Sequence, residues 1–375
     1  MKTLELPIYE KRNLAINENY YQDIKNELEE FLLDEDWLKK REFVQRILFN
    51  QEIKANNSIE GINDDLRLIE DVINNNTNIN DEKRRKEIIN LYNGYRYILT
   101  NKDIDKEHLK ELYRILSDGL LCKEDIDRMG EYYREDIVYI LKKGRLDMEL
   151  SQGLEYSLID KYMNIYFDYI NKNSDGTITD TFVKSQIMHF YFVYIHPYFD
   201  VNGRTSRTMA MWYLLNKEAY PYIIFNRAIN NNASNYDEAI MDTKNNADIS
   251  FFIKYMMTNV KKELEKEIIM KDIRDNTTYK MNAIDYQAIN YILSMKGDIN
   301  VLTFSSLYRR DNDYMKVREI YLQVLRPLID KGILQVVRLT NKDMFYGYRN
   351  EVLRINPNRF DRDNPKIRRL DLSNK

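Results

Sequence analysis

Residues 183–207 read VKSQIMHFYFVYIHPYFDVNGRTSR, and this stretch decides the fold. From Val183 to Ile195 the chain is almost continuously apolar, which predicts a helix buried on most of its sides rather than an amphipathic surface helix. His196-Pro197 then breaks it, because proline lacks an N–H and restricts the residue before it. A second helix begins near Arg204 and carries Met209, Trp212 and Tyr213 inward. Two buried helices joined by a short polar loop form the centre of a helical core, with the loop's polar residues gathered at one end.

Composition agrees with a mainly α fold. Glycine and proline together number 17 of 375 residues, against an average nearer 12%, which favours long helices over tight turns. The single cysteine, Cys122, excludes an intramolecular disulfide and a zinc site built on several thiolates. Net charge is −3, so no global field points to nucleic acid or an anionic membrane. Residues 280–375 nevertheless carry 18 Lys and Arg against 11 Asp and Glu, a local excess of +7. No basic flank and apolar core follow Met1, and the longest apolar run, Ile187 to Phe199, contains two histidines. The expectation is a cytoplasmic chain without signal peptide or membrane span.

Outward from the core, helical spacing recurs at Ile24, Leu28, Phe31 and Leu32, at Ile88, Tyr92, Tyr95 and Leu99, and at Leu109, Leu112, Ile115 and Leu116. The first hundred residues read as a helical layer with a polar loop at Asn74–Asn80. Gly130-Glu131-Tyr132-Tyr133-Arg134 precedes a β-branched and aromatic run, Ile137 to Leu141, and a turn candidate at Lys142-Lys143-Gly144, which together predict a short hairpin. A boundary is expected near Asn276-Thr277-Thr278. Three helices follow it, then a strand pair at Gln335–Leu339 and Phe345–Tyr348 with a turn at Asn341-Lys342-Asp343, the order of a winged helix. The expected organisation is residues 1–100, a helical region; 101–275, a catalytic core; 280–350, a winged-helix-like domain; and 356–375, a charged, poorly ordered tail.

The loop carries the chemistry. Asn202 and Gly203 stand where a loop enters a helix, so their N–H groups and the helix dipole make an anion site suited to phosphate. Arg204 and Arg207, three apart, project from the first turn toward one side. Asp200 beside a phosphate site is a natural hard ligand for Mg²⁺. His196 can accept a proton from an incoming hydroxyl. Only His108 and His189 compete for that role, and both read as structural, the first on an amphipathic helix among charges and the second on a buried face.

Residues 196–207, HPYFDVNGRTSR, resemble the Fic family signature HPFx(D/E)GNGRxxR; MHFYFVYIHPY resembles the family's lead-in to it, and GEYYR its GxYR before a flap hairpin. The resemblance spans roughly residues 40–260. It implies a Fic helical core with a short β-hairpin flap and a protein adenylyltransferase, in which a Ser, Thr or Tyr hydroxyl attacks the α-phosphorus of ATP and pyrophosphate leaves. The implied roles are His196 as general base, Asp200 as Mg²⁺ ligand, Asn202 and Gly203 as α/β-phosphate cradle, Arg204 as β/γ-phosphate clamp and Arg207 as γ-phosphate contact. ATP and Mg²⁺ are the implied cofactors, and the implied partner is a protein segment lying along the flap, Ile137 to Leu141, by strand addition.

Two positions depart from the signature. Tyr198 for Phe adds a hydroxyl that needs a partner. Val201 for Gly places a β-branched residue where the cradle favours positive φ. Upstream, Asn56-Asn57-Ser58-Ile59-Glu60-Gly61 resembles the family's inhibitory motif (S/T)xxxE(G/N), with Asn56 in place of Ser or Thr. The resemblance implies that Glu60 pairs with Arg207, withholds it from the γ-phosphate and so misplaces ATP, and that the same glutamate also serves AMP removal. The alternatives are a regulator that binds DNA through Lys316, Arg318, Arg326 and Arg338, and a degenerate Fic protein that binds nucleotide without transfer. Docking of a protein partner or self-association ranks above nucleic acid for the C-terminal region, because Val317, Ile320, Tyr321 and Val324 claim its third helix for packing.

Overall fold

The chain opens not on a helix but on two strands, β1 (Lys2–Ile8) and β2 (Arg12–Ile16), paired antiparallel. Leu4, Leu6 and Ile8 alternate inward on β1, as Leu14 and Ile16 do on β2, a period-2 pattern that corrects the expectation of an all-helical first hundred residues. The register slips between Thr3 and Pro7, where proline has no N–H for the ladder. The computed structural model describes residues 1–8, 12–76, 81–141, 150–172, 176–276, 281–295, 298–309, 315–340 and 350–356.

Helices then follow: α1 (Gln22–Leu33), α2 (Arg41–Ile47), a π-helical turn at Leu48–Glu52, α3 (Ile53–Ile59), α4 (Leu66–Ile73), α5 (Glu82–Thr100), α6 (Lys106–Ser117) and the short α7 (Lys123–Asp127). Asp81 and Asp105 start α5 and α6 by accepting the Arg84 and His108 N–H groups at 3.1 and 2.9 Å. A Cβ at Gly94 of α5 would stand 2.7 Å from Leu116 Cδ2 of α6, so glycine lets the two helices close.

The flap consists of β3 (Tyr139–Leu141) and β4 (Leu150–Gln152), with Tyr139 opposite Gln152. The expected turn at 142–144 lies outside the described residues. Next come α8 (Tyr156–Asn171), α9 (Ile178–Ile195) and α10 (Asn202–Asn216), the last two being the predicted central pair. Thr177 and Asp180 form a reciprocal capping box at the start of α9, and from Phe182 onward nearly every side chain of α9 is buried. Buried Lys184 reaches the end of α8, its Nζ donating to the Ile170 and Lys172 carbonyls at 3.0 and 2.5 Å, a cation at a helix C-terminus. Then α11 (Phe225–Asn230), α12 (Ala233–Asn246) and α13 (Ser250–Asp275) complete the helical series. Ala15 of β2 exchanges backbone bonds with Ala247 and Ile249 at 2.8 and 3.0 Å, which ties the hairpin to this region.

Two compact units emerge, one of residues 1–62 and 72–261, the other of 63–71 and 262–375. In the second, α14 (Ala283–Ser294), β5 (Ile299–Asn300), α15 (Val301–Tyr308), α16 (Val317–Ile320), a π-helical turn at Tyr321–Leu325, α17 (Arg326–Asp330), β6 (Leu334–Thr340) and β7 (Asn350–Ile355) build a three-stranded antiparallel sheet in the order β5-β7-β6. Its final described strand is 350–355; the expected strand at 345–348, the turn at 341–343 and the tail from 357 lie outside the described residues. Arg354 of β7 holds Asp298 through two nitrogens at 2.5 and 3.0 Å, which anchors β5. No helix among the described residues is long and apolar enough to cross a membrane.

Candidate active site

Helix α9 ends because His196 adopts a left-handed conformation, φ 52° and ψ 61°, while its N–H still bonds the Phe192 carbonyl at 2.9 Å. The chain turns through Pro197–Asp200 and enters α10 at Val201, again left-handed with φ 64° and ψ 11°. Asn202 shapes this loop like an inserted peptide: its Oδ1 accepts the Tyr198 N–H at 3.0 Å and its Nδ2 donates to the Tyr198 carbonyl at 2.8 Å. Its side chain is thereby committed to the loop, while its backbone N–H, with that of Gly203, belongs to the first turn of α10. Asp200 is exposed, and its Oδ1 accepts the Val201 N–H at 2.6 Å. An exposed carboxylate beside a helix N-terminus fits an ion that takes one or two carboxylates and keeps its other positions for water and phosphate.

His196 is held by its backbone and is partly buried. Its carbonyl accepts Arg134 Nε at 2.9 Å, and the neighbouring Pro197 carbonyl accepts the Arg134 N–H at 3.0 Å. Nδ1 is buried without a hydrogen-bond partner of normal geometry among the described residues. Burial first, then the Arg134 charge, press the imidazole down to about 4, with the Val193 carbonyl opposing. The ring is consequently neutral at physiological pH and able to accept a proton.

Arg207 is the most enclosed cation of the site, 1% exposed. Its Nε donates to Asn56 Oδ1 at 2.8 Å, and its Nη2 donates to the Asn56 carbonyl at 3.3 Å and to Glu60 Oε1 at 2.7 Å. Burial opposes its charge, but Glu60, with Tyr236 and Tyr95, raises its pKa overall. Glu60 closes α3, followed by Gly61 at φ 87°; Gly61 N–H bonds Ser58 and Ile62 N–H bonds Asn57, at 2.9 and 3.1 Å. This Schellman ending aims the carboxylate at the loop. A Cβ on Gly203 would meet Glu60 Oε1 at 2.5 Å and Arg207 Nη1 at 3.1 Å, so the missing side chain at 203 is what admits the carboxylate over the start of α10. Arg204 turns to Glu87 of α5, Nη1 to Oε1 3.8 Å, and its Nε is buried without a partner among the described residues.

The structure thus brings His196, Asp200, Asn202, Gly203, Arg204, Arg207 and Glu60 to the loop between α9 and α10. His189 stays apart in the core, its Nε2 2.9 Å from the Tyr236 hydroxyl, with burial and then Arg207 lowering it to about 3. His108 pairs with Asp105 at 2.8 Å in the first turn of α6. Sequence reasoning missed three participants. Asn56 grips Arg207 and also donates to the Tyr95 hydroxyl at 3.0 Å; Arg134 fastens the His196 turn; Glu87 faces Arg204. Arg134 had a signal as the end of GEYYR, and Asn56 as the residue in place of Ser or Thr in the inhibitory motif, though neither contact was foreseen; Glu87 had none.

Residues 103–214 match the model of the Fic/DOC family. Within these residues the chain is similar to Fic/DOC domains. Family members are commonly transferases that move nucleotidyl groups to proteins. Among solved structures, a Fic family protein from Desulfovibrio desulfuricans G20 is similar in fold, with 17% identity, a TM-score of 0.56, and 90% of this chain and 94% of that one covered. Fic-1 from C. elegans matches with 15% identity and a TM-score of 0.49 over 66% of this chain and 71% of that one.

Proposed function

We propose that this protein moves AMP from ATP to a Ser, Thr or Tyr hydroxyl of a protein and that Glu60 holds it in an off state. The observation that carries the reading is the Glu60 carboxylate, 2.7 Å from Arg207 and lying over Gly203: an anion of the protein's own occupies the place that the helix N-terminus, Gly203 and Arg207 prepare for phosphate.

In transfer, neutral His196 takes the proton of the target hydroxyl as its oxygen bonds to the α-phosphorus. The bond from that phosphorus to the bridging oxygen breaks, and pyrophosphate leaves. The N–H groups of Asn202 and Gly203 orient the α- and β-phosphates, while Arg204 and Arg207 receive the charge growing on the leaving group. Asp200 would hold Mg²⁺, which neutralises phosphate charge when bound. The target segment lies along β3, whose Tyr139 is 60% exposed. The second unit has the element order of a winged helix, and its exposed Val336, Val337 and Leu322 suit a protein contact better than a phosphate backbone.

The test is labelling with ATP carrying a label on its α-phosphate. Glu60→Gly is expected to raise incorporation about a hundredfold, the scale of an ångström-sized misplacement, and His196→Ala in that background to abolish it. Equal incorporation by all three proteins refutes the assignment.

A further inference from the structure

Arg134 is 2% exposed, and every nitrogen of its guanidinium donates to a backbone carbonyl rather than to a carboxylate. Nε reaches His196, Nη1 reaches Asp136 and Nη2 reaches Leu154, at 2.9, 2.5 and 2.5 Å. Its own N–H adds the Pro197 carbonyl at 3.0 Å. Asp136 lies just before β3 and Leu154 just after β4, so one planar fork joins the entry of the flap, its exit, and the turn that presents His196. A planar guanidinium can hold three fixed acceptors at once; an ammonium is a compact point charge without that geometry.

A second feature is built around the same contact. The Gly153 N–H bonds the Val138 carbonyl at 2.9 Å, and a Cβ at Gly153 would stand 2.7 Å from Val138 Cγ1 and 3.1 Å from Arg134 Nη2. Glycine at 153 therefore makes room for the fork between the flap strands. The left-handed φ of 52° at His196 is strained in a non-glycine residue, and the two bonds from Arg134 to the His196 and Pro197 carbonyls help such a conformation to persist.

We propose that Arg134 is a positioning residue that locks the flap base to the His196 turn, so that the protein segment held along β3 and the base that deprotonates its hydroxyl keep one geometry. The proposal rests on the reading of His196 as that base. It assigns Arg134 no contact with nucleotide. The Glu155 and Asp136 carboxylates offset only part of what burial costs this guanidinium.

Two experiments on the full chain test it. With three histidines in the protein, the His196 imidazole can be followed by NMR on histidine-labelled samples, alongside hydrogen exchange at the Gly153 amide. The charges that face His196 are Arg134 from the flap base, Lys244 from α12 and Glu60 from α3. Arg134→Met is expected to move the His196 titration up from about 4 and to expose the Gly153 amide; Arg134→Lys is expected to keep the titration low and still lose the amide protection. An unchanged titration and unchanged protection in Arg134→Met overturn the proposal.

The second experiment uses the Glu60→Gly background. Arg134→Met is expected to lower kcat about a hundredfold with the Kd for ATP unchanged, and a parallel loss of ATP binding overturns the proposal. If the Glu60→Gly parent transfers nothing, the reading of function fails, and the NMR and exchange arm still decides the role of Arg134. Should Arg134→Met not fold, Gly153→Ala keeps the guanidinium and crowds it; the same signature in milder form is expected, and a folded Gly153→Ala protein without it refutes the lock.

Discussion

Glu52 offers the sharpest test of the electrostatics under α3. It ends the π-helical turn, is fully buried, and neither carboxylate oxygen has a hydrogen-bond partner of normal geometry among the described residues. Burial pushes its carboxyl up to about 8, with Arg227 and Asn226 pulling the other way. The sign follows directly. A carboxyl raised in the folded state resists ionisation that the unfolded chain undergoes freely, so stability is lost as pH rises from the ordinary carboxylate range toward about 8. The loss at pH 5 is about 1 kcal/mol and at pH 8 about 4 kcal/mol, taking 1.36 kcal/mol per pKa unit.

Glu52→Gln keeps the shape and removes the titration. It is therefore expected to be nearly neutral at pH 5 and stabilising at pH 8, the difference between the two being about 3 to 4 kcal/mol. Urea unfolding followed by tryptophan fluorescence reads the right unit, because both tryptophans, Trp37 and Trp212, lie in residues 1–62 and 72–261. A stability difference that stays flat between pH 5 and pH 8 refutes the argument and means that Glu52 is ionised and paired with Arg227.

Two histidines, the buried His189 and the partly buried His196, run the opposite way. His189 and His196, lowered to about 3 and about 4, bind fewer protons folded than unfolded, so stability is intact above the ordinary histidine range and falls as pH drops below it. At pH 5 each withdraws about 2 kcal/mol; the Glu52→Gln protein should show the loss openly between pH 7 and pH 5, while in the parent the recovery at Glu52 masks most of it. Tyr198 has a buried hydroxyl without a partner among the described residues and a ring stacked on Tyr113 at 3.5 Å and 6°, so Tyr198→Phe keeps the stack and is expected to stabilise by about 1–3 kcal/mol in the same assay; a destabilised variant would reveal a partner for that hydroxyl. Val201→Gly relieves about 1–2 kcal/mol of left-handed strain but gives up about 1.5–3 kcal/mol of burial and about 0.4–1 kcal/mol through the freer unfolded chain. The variant is expected to be less stable by about 1–2 kcal/mol, and a gain in stability would show that strain outweighs packing at this position.

What was legible in the sequence follows a physical divide. The loop from His196 to Arg207 could be read because its groups act at short range along the chain: a helix break, a helix start and arginines three apart force their own neighbourhood, and even the positive φ at Val201 was foreseeable from the glycine it replaces. The β1–β2 hairpin escaped because Pro7 and flanking charges blur an alternation only a few residues long. Arg134 could be marked as the edge of a flap, yet its three carbonyl partners come from the His196 turn and both ends of the hairpin, and no local pattern encodes that meeting. The polar face of α3 was legible only in part, with Glu60 marked by its motif and the inward turn of Glu52 and Asn56 left unread. Glu52, Asn56 and Glu60 recur at every fourth residue, which a pattern argument assigns to a solvated helix face, since polar residues at helical spacing face water in most helices. Here Asn56 is wholly buried and Glu60 reaches in from the rim, because the opposite partner is itself a buried cation, Arg207, supplied from another helix 151 and 147 residues along the chain; Glu52, also wholly buried, lies near a different cation, Arg227. Periodicity reports that a helix has two faces; which face is inside depends on what the rest of the chain brings to it. A polar stripe on a helix in front of a pair of arginines is therefore a candidate interior, to be tested by titrating its carboxylates before it is assigned to solvent.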